Sequence, residues 1–160
     1  MKTMRFLLPL GALSLIPLLA GAAVKPVRAV APPKNEEPDP YEIPDAARGR
    51  RNPILRSDDT IRQGQVLWQK HCETCHGTQG RGDGPNARLH EQRRGHAPRN
   101  LTESKVQDNL TDGEIFYRIT KGLTEDGKII MPSYEQKVPG EAQRWQLVLF
   151  VRELGQAAKR

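Results

Sequence analysis

The chain has only two cysteines, Cys72 and Cys75, and they lie in the run Cys72-Glu73-Thr74-Cys75-His76. One pair separated by two residues cannot supply the disulfide framework that staples many exported proteins. The pair therefore marks a chemical site, and the fold has to be arranged around whatever binds there.

Three kinds of site use cysteines at this spacing. A zinc site needs further Cys or His ligands at characteristic distances, and none follow here. A thioredoxin-type redox pair would accompany a βαβ pattern, which the sequence lacks. Cys-x-x-Cys followed at once by His attaches a c-type haem, whose vinyl groups take the two thiols and whose iron takes the imidazole. The motif predicts one covalent haem c, attached through Cys72 and Cys75 and ligated by His76.

The sixth position on the iron decides between an electron carrier and an open-site haem protein. Two of the three methionines lie within the first four residues, which leaves Met131, followed by Pro132, as the predicted second ligand. His90 and His96 are the competing donors, but they lie among arginines, and we expect both to be exposed. We also expect His71 at the surface. The alternative function is a haem enzyme or gas-binding sensor with an open distal site.

The first 22 residues have the pattern of an export signal. Lys2 and Arg5 precede a run without charged residues from position 6 to 24. A basic start, an apolar run and the small residues Ala20-Gly21-Ala22 predict a signal peptide cleaved before Ala23. A retained membrane anchor is the alternative, because 19 residues of helix nearly span a bilayer core. Both interpretations place the rest of the chain on the periplasmic side, soluble or membrane-associated.

Residues 23–57 are predicted to form a proline-rich, extended linker or arm. Seven of the thirteen prolines lie between positions 25 and 56, among few large apolar residues. Such a stretch cannot bury enough surface to offset the entropy of ordering it. It is either a solvated linker or an arm that becomes ordered on a partner subunit. Residues 58–160 are the predicted globular domain.

Helical spacing of apolar residues appears three times in that domain. The first helix begins at residue 57 or 58 and precedes the haem motif. The second begins at Thr111, where Glu114 completes a capping box, and ends near Gly122. The third begins at residue 141, after Pro139-Gly140, and ends near residue 154. We expect these helices to form the core.

With the haem motif, the Met131 loop and the paired terminal helices, the chain resembles the class I monohaem c-type cytochromes over about residues 58 to 154. The resemblance implies an all-α cytochrome c fold, with three to five short helices around the haem. It implies that Gly64 and Trp68 on the first helix pack against Leu147 and Phe150 on the last. It also implies an electron carrier rather than an enzyme.

In that family a proline carbonyl accepts the hydrogen bond of the proximal imidazole and fixes its orientation. The resemblance assigns this role to Pro98, with Pro85 as the rival. The arm and the Gly-Asp-Gly-Pro loop are similar to the monohaem subunit of a respiratory assembly such as alternative complex III. The protein would then be either a free shuttle or a fixed subunit of a membrane electron-transfer complex.

The net charge of +6 does not belong mainly to the globule, because residues 58–160 contain sixteen basic and fourteen acidic residues. Four arginines cluster in one loop: Arg88, Arg93, Arg94 and Arg99. If they surround the haem edge, they would steer an acidic redox partner to it. No nucleic-acid-binding motif accompanies the basic excess, so nucleic acid is not a predicted partner.

Overall fold

The computed structural model describes residues 43–160, so the predicted signal peptide and residues 23–42 of the predicted arm lie outside the described residues. The described part contains seven helices and a two-stranded hairpin. In chain order they are α1 Asp45–Arg48, α2 Asp58–His71, α3 Glu73–His76, α4 Ala87–Arg94, α5 Ser104–Asn109, α6 Asp112–Lys121, β1 Leu123–Glu125, β2 Lys128–Met131 and α7 Glu141–Ala157. Between residues 43 and 160, no helix has the length and apolarity needed to cross a membrane.

The three predicted helices are confirmed as α2, α6 and α7. Ser57 caps α2, since its side chain accepts a hydrogen bond from the backbone N–H of Thr60. Thr111 and Glu114 cap α6 reciprocally, and Gly122 ends it. Helix α7 follows Gly140 as expected and ends three residues later than predicted. These capping signals explain why helix boundaries were readable from the sequence.

The predicted helical fold class is confirmed, but the described residues contain more helices than the expected three to five. Helices α1, α3, α4 and α5 have four to eight residues each, too few for a clear apolar period. The hairpin was not predicted. Asp126 and Gly127 connect its strands with φ values of 47° and 73°, which suit a tight hairpin turn.

Helices α2 and α7 cross at a glycine. A Cβ atom on Gly64 would stand 2.2 Å from the carbonyl oxygen of Gln146, so the two backbones touch there. The ring centroids of Trp68 and Phe150 are 5.7 Å apart, and Leu147 is buried beside them. The predicted packing of the first helix against the last is therefore confirmed.

Helix α6 completes the core by packing against α7. The rings of Phe116 and Trp145 stack with their centroids 4.1 Å apart. Apart from Cys72, the remaining buried side chains of the core cluster come from α6, α7 and the loop before α7: Ile115, Ile119, Val138, Val148, Val151 and Leu154.

Residues 43–57, which we call the strap, differ from the expected extended arm. This segment includes α1 and packs against α6 and α7 of the same molecule. The Arg50 guanidinium stands 4.5 Å from the Phe116 ring centroid and 5.1 Å from that of Trp145. The Asn52 side-chain amide donates to the Trp145 carbonyl at 3.0 Å. Specific contacts of single polar residues order this segment, and such contacts leave no periodic signal in a sequence.

The strap also supplies the counter-charge of a buried carboxylate. Glu114 is only 3% exposed. One of its oxygens lies 3.0 Å from Arg48 Nη1, and the other accepts the Thr111 N–H at 2.7 Å. Because a buried carboxylate is costly without such partners, α1 contributes to the stability of α6.

Candidate haem site

One cavity of about 460 Å³ brings the predicted site residues together. Cys72, Cys75, His76, Met131 and Pro98 all line it. Its volume lies in the range of small-molecule and cofactor pockets. The remaining wall is largely apolar, and six of its apolar side chains come from α5, α6, α7 and the junction between α5 and α6: Val106, Leu110, Ile115, Ile119, Leu147 and Val151.

The last turn of α2 holds the haem motif in place. The backbone N–H of Cys72 donates to the Trp68 carbonyl at 2.8 Å, and that of His76 donates to the Cys72 carbonyl at 2.9 Å. The indole N–H of Trp68 donates to the Gly77 carbonyl at 3.2 Å. Trp68 thus fastens both ends of the motif while its ring packs in the core.

The glycine-rich loop after the motif fastens it from the other side. Three N–H groups of the loop donate to carbonyls of α3, with distances of 2.8, 3.2 and 2.7 Å: Gly82 to His76, Gly84 to Cys75, and Asn86 to Thr74. A Cβ on Gly84 would stand 2.5 Å from the Glu73 carbonyl oxygen. The glycines therefore permit a backbone approach that a side chain would block.

The hydrogen bond of His76 determines which of its ring nitrogens is free. Nδ1 lies 3.2 Å from the Arg99 carbonyl oxygen. A carbonyl can only accept, so Nδ1 carries the proton. Burial lowers the pKa of His76, although the bond to Arg99 opposes this. A neutral ring protonated at Nδ1 keeps the lone pair of Nε2 for a metal.

The acceptor of this bond lies one residue beyond the predicted Pro98. It is the carbonyl of Arg99, and neither Pro98 nor Pro85 orients His76. Pro98 lines the cavity, but its own carbonyl faces the loop, where a Cβ on Gly82 would stand 2.1 Å from it. Successive carbonyls of an extended segment point in different directions. With Pro98 directed at Gly82, the next carbonyl reaches the imidazole.

Met131 ends β2, and the residues after it are pinned to α6. The backbone N–H of Tyr134 donates to the Ile119 carbonyl at 3.0 Å. The Ser133 hydroxyl donates to the Thr120 carbonyl at 2.6 Å. These two bonds attach the loop after Met131 to the last turn of α6.

The cysteine environment disfavours a redox-active dithiol. Burial raises the pKa of Cys72 to about 12, and the neighbouring Cys75 adds to the shift. The thiolate is the nucleophilic form, and catalytic cysteines have lowered pKa values. Cys72 therefore has the character of a buried attachment point rather than of a reactive thiol.

Two cavity residues were missed by sequence reasoning. Tyr134 lies three residues beyond Met131, and burial raises its pKa to about 12, so its phenol stays protonated. Arg118 lines the cavity from α6. A basic residue on the otherwise apolar face of α6 was the available signal for it.

His71, expected at the surface, is half-buried, with its ring centroid 6.2 Å from that of Tyr134.

The donor set fits a haem. Two thiols, a neutral imidazole and a thioether line one largely apolar cavity, which matches covalent attachment together with His and Met as axial ligands. Elsewhere among the described residues, no cluster of three His, Cys, Asp or Glu side chains forms a metal site.

The two remaining histidines make contacts that the sequence did not predict. His90 is half-buried and lines the cavity, with Nε2 2.6 Å from the Ile130 carbonyl oxygen. Its Nδ1 lies 2.9 Å from the His96 carbonyl oxygen. His96 is exposed as expected and pairs with Glu125 at 2.5 Å. The expectation that His90 is exposed was wrong, because α4 packs against the hairpin.

The arginine cluster divides into two groups. Arg93, Arg94 and Arg99 line the cavity, whereas Arg88 is exposed outside it. Arg93 and Arg99 are also exposed, so they lie at the cavity opening. The Arg94 guanidinium donates to the Ile129 carbonyl and is therefore engaged within the molecule.

A cavity lined by a Cys-x-x-Cys-His segment and a methionine, between terminal helices that cross at a glycine, defines a c-type cytochrome domain. A family model described as "Cytochrome C oxidase, cbb3-type, subunit III" matches residues 59–151, more than half of the chain. The chain belongs to this family. It is accordingly a protein of haem-based electron transfer with a covalently bound c-type haem, and the resemblance predicted from the sequence is confirmed.

Solved structures that are similar to the chain include the following two. One is in the reducing HAO-like protein complex of Kuenenia stuttgartiensis, with 27% identity and a TM-score of 0.52 over 64% of this chain and 46% of that chain. This protein thus spans about half the length of that one. The other is the KustC0563 c-type cytochrome, with 25% identity and a TM-score of 0.45 over 57% of this chain and 95% of that chain. No curated protein sequence gives a significant match.

Proposed function

We propose that the protein carries single electrons through one haem c on the periplasmic side of the membrane. Cys72 and Cys75 hold the haem, and His76 and Met131 are the axial ligands. The observation that carries the proposal is the meeting of all four side chains in one cavity. A bound haem supplies a one-electron iron couple, whose potential is higher with Met than with a second His as ligand.

The role of the protein is to hold these ligands rigidly and to shield them from water. Trp68 and the glycine-rich loop immobilise the haem motif. The Arg99 carbonyl keeps His76 in the tautomer whose Nε2 is free. The bonds from Tyr134 and Ser133 to α6 fix the loop beyond Met131. Rigid ligands suit electron transfer, because little has to rearrange when the charge changes.

The periplasmic location rests on the export pattern of the first 22 residues. Membership of a larger assembly is supported by the HAO-like structure, which is itself a complex. The strap contacts its own domain, so an arm that reaches neighbouring subunits would be residues 23–42. A free shuttle and a fixed subunit of a respiratory complex, such as an alternative complex III-like assembly, both agree with this arrangement.

Arg93 and Arg99 at the cavity opening, with Arg88 nearby in sequence, are proposed to attract an acidic redox partner. Arg94 is a poor choice for testing this idea, because it also bonds Ile129. The variant Arg93→Glu/Arg99→Glu should slow oxidation of the reduced protein by ferricyanide at low salt at least about threefold. The matched variant Arg62→Glu/Lys105→Glu, outside the cavity lining, should change the rate much less. Equal effects of the two variants would contradict a docking role for these arginines.

The function is tested on the mature holoprotein by a spectroelectrochemical titration and by exposure of the reduced form to carbon monoxide. An electron carrier should give one reversible one-electron step, one haem per chain and an unchanged spectrum with carbon monoxide. Rapid carbon monoxide binding would show an open distal site. It would support the haem enzyme or gas sensor instead.

A further inference from the structure

Helix α4 reaches the two residues immediately before Met131. His90 and Arg94 lie four positions apart, so they share one face of the helix. His90 Nε2 is 2.6 Å from the Ile130 carbonyl oxygen, and the Arg94 guanidinium donates to the Ile129 carbonyl. Both ring nitrogens of His90 face carbonyl oxygens, and the shorter of the two contacts is the one from Nε2 to Ile130.

The hairpin needs such support because of its irregular register. The strand pairing steps from Thr124–Ile129 to Leu123–Met131, which leaves Ile130 as the extra residue of a bulge. A bulged residue is unpaired in the ladder, and bulges often redirect a neighbouring side chain. His90 therefore bonds the carbonyl of the residue that the neighbouring strand does not pair.

The hairpin is also too small to be rigid alone. Its strands have three and four residues, and isolated two-stranded hairpins are marginal in water. Ile129 is 49% exposed, whereas the side chain of Ile130 is buried, so burial anchors only one of the two residues before Met131. After Met131 the chain is pinned to α6, as described above. Before it, the polar contacts from outside the hairpin include those of His90 and Arg94 on α4 and the pair between His96 and Glu125.

We infer that His90 and Arg94 are positioning residues that hold Met131 at the cavity and determine how firmly it stays on the iron. The inference rests on the proposed function, since it takes Met131 as the ligand. It gives the arginine-rich helix a second role beside docking. Loss of either side chain should let the upstream half of the loop move and weaken the thioether in competition with other ligands.

The test is the affinity of the oxidised holoprotein for imidazole, which competes with Met131 and is followed by visible absorption. His90→Gln and Arg94→Gln should each bind imidazole about three- to tenfold more tightly, as expected for loss of one hydrogen bond. Arg94→Lys keeps a donor and should restore part of the wild-type value. Gln92→Ala, exposed on the same helix, should behave as wild type. Wild-type affinity in both Gln variants, or an equal increase in Gln92→Ala, would overturn the inference.

A second readout follows the backbone rather than the iron. In the reduced holoprotein, amide hydrogen exchange over residues 123–131 should accelerate in His90→Gln and Arg94→Gln but not in Gln92→Ala. Unchanged exchange would contradict the positioning role of His90 and Arg94, even if the iron ligands are as proposed. A wild-type holoprotein without a methionine ligand would instead contradict the proposed function, while faster exchange in the two variants would still support the contacts of α4.

Discussion

At the scale of single residues, the orientation of His76 depends on the absence of a side chain at Gly82. Gly82 has a φ of 80°, and a Cβ there would stand 2.1 Å from the Pro98 carbonyl oxygen. That contact lies one residue before the carbonyl that bonds His76 Nδ1. Gly82 thus determines how closely the segment that orients the ligand can approach.

We predict that Gly82→Ala lowers the free energy of unfolding by about 2–4 kcal/mol, because it combines a left-handed conformation with a steric clash. The matched control is Gly95→Ala, which has a φ of 81° but nothing within 4 Å of the added Cβ. The control should lose only about 1–2 kcal/mol. Urea unfolding of the two holoproteins measures the difference, and equal losses would rule out the close approach to Pro98.

The site shows what a sequence can and cannot reveal about individual residues. Cys72, Cys75 and His76 were predicted by their spacing, and Met131 by elimination, because side-chain chemistry is written in the sequence. The Arg99 carbonyl could not be predicted, since every residue has a carbonyl and its direction depends on the folded loop. The contact of His90 with Ile130 depends on a helix of eight residues and a bulge, neither of which has a sequence period.

At the scale of elements, the crossing of α2 and α7 forms the frame behind the haem motif. Gly64 lets the backbones touch, and Trp68 connects the crossing to the motif through Gly77.

The positions of the helices and their buried faces were predictable, because capping residues and apolar periods are local features of the sequence. The hairpin was missed although its Asp-Gly turn was visible. Its strands are only three and four residues long, which is too short for alternation to stand out.

We predict that Gly64→Ala destabilises the protein by about 1–3 kcal/mol, because the added Cβ would stand 2.2 Å from a backbone oxygen that cannot rotate away. This should lower the midpoint of thermal unfolding by about 5 °C or more. Gly49→Ala is the matched control, since its φ is −73° and its nearest neighbour would be 3.6 Å away. A midpoint for Gly64→Ala equal to that of this control would contradict the crossing.

At the scale of the whole molecule, the strap extends the folded domain to residue 43, before the predicted boundary at 58. Arg50 pairs with Glu141 at 2.5 Å, and Arg56 pairs with Glu153. Both partners belong to α7. The sequence could not show this arrangement, because ion pairs between distant surface residues follow from the packing of the helices and leave no local pattern.

We predict that acid releases the strap. The hydrogen bond from Arg50 lowers the pKa of Glu141, and those from Arg56 and Arg160 lower the pKa of Glu153. A carboxylate with a lowered folded-state pKa stabilises the fold above its unfolded pKa and loses this effect as pH falls through the lowered value. Hydrogen-exchange protection of residues 50–57 should therefore decrease as pH falls from about 6 to about 3.

The double variant Glu141→Gln/Glu153→Gln is the control for this effect. It should show weaker protection of the strap at the higher pH and little further loss on acidification. Exposed ion pairs contribute little to global stability, so the core helices should stay protected throughout. A strap whose protection is independent of pH in the wild type would contradict these ion pairs as its anchors.

The central claim is that one haem c in this cavity is ligated by His76 and Met131. The most direct test is the near-infrared magnetic circular dichroism spectrum of the oxidised holoprotein, in which the charge-transfer band identifies the axial ligand pair of a low-spin haem. We predict a band of the His/Met type, which is lost in Met131→Ala. A bis-histidine band, or the high-spin spectrum of an open distal site in the wild type, would contradict it.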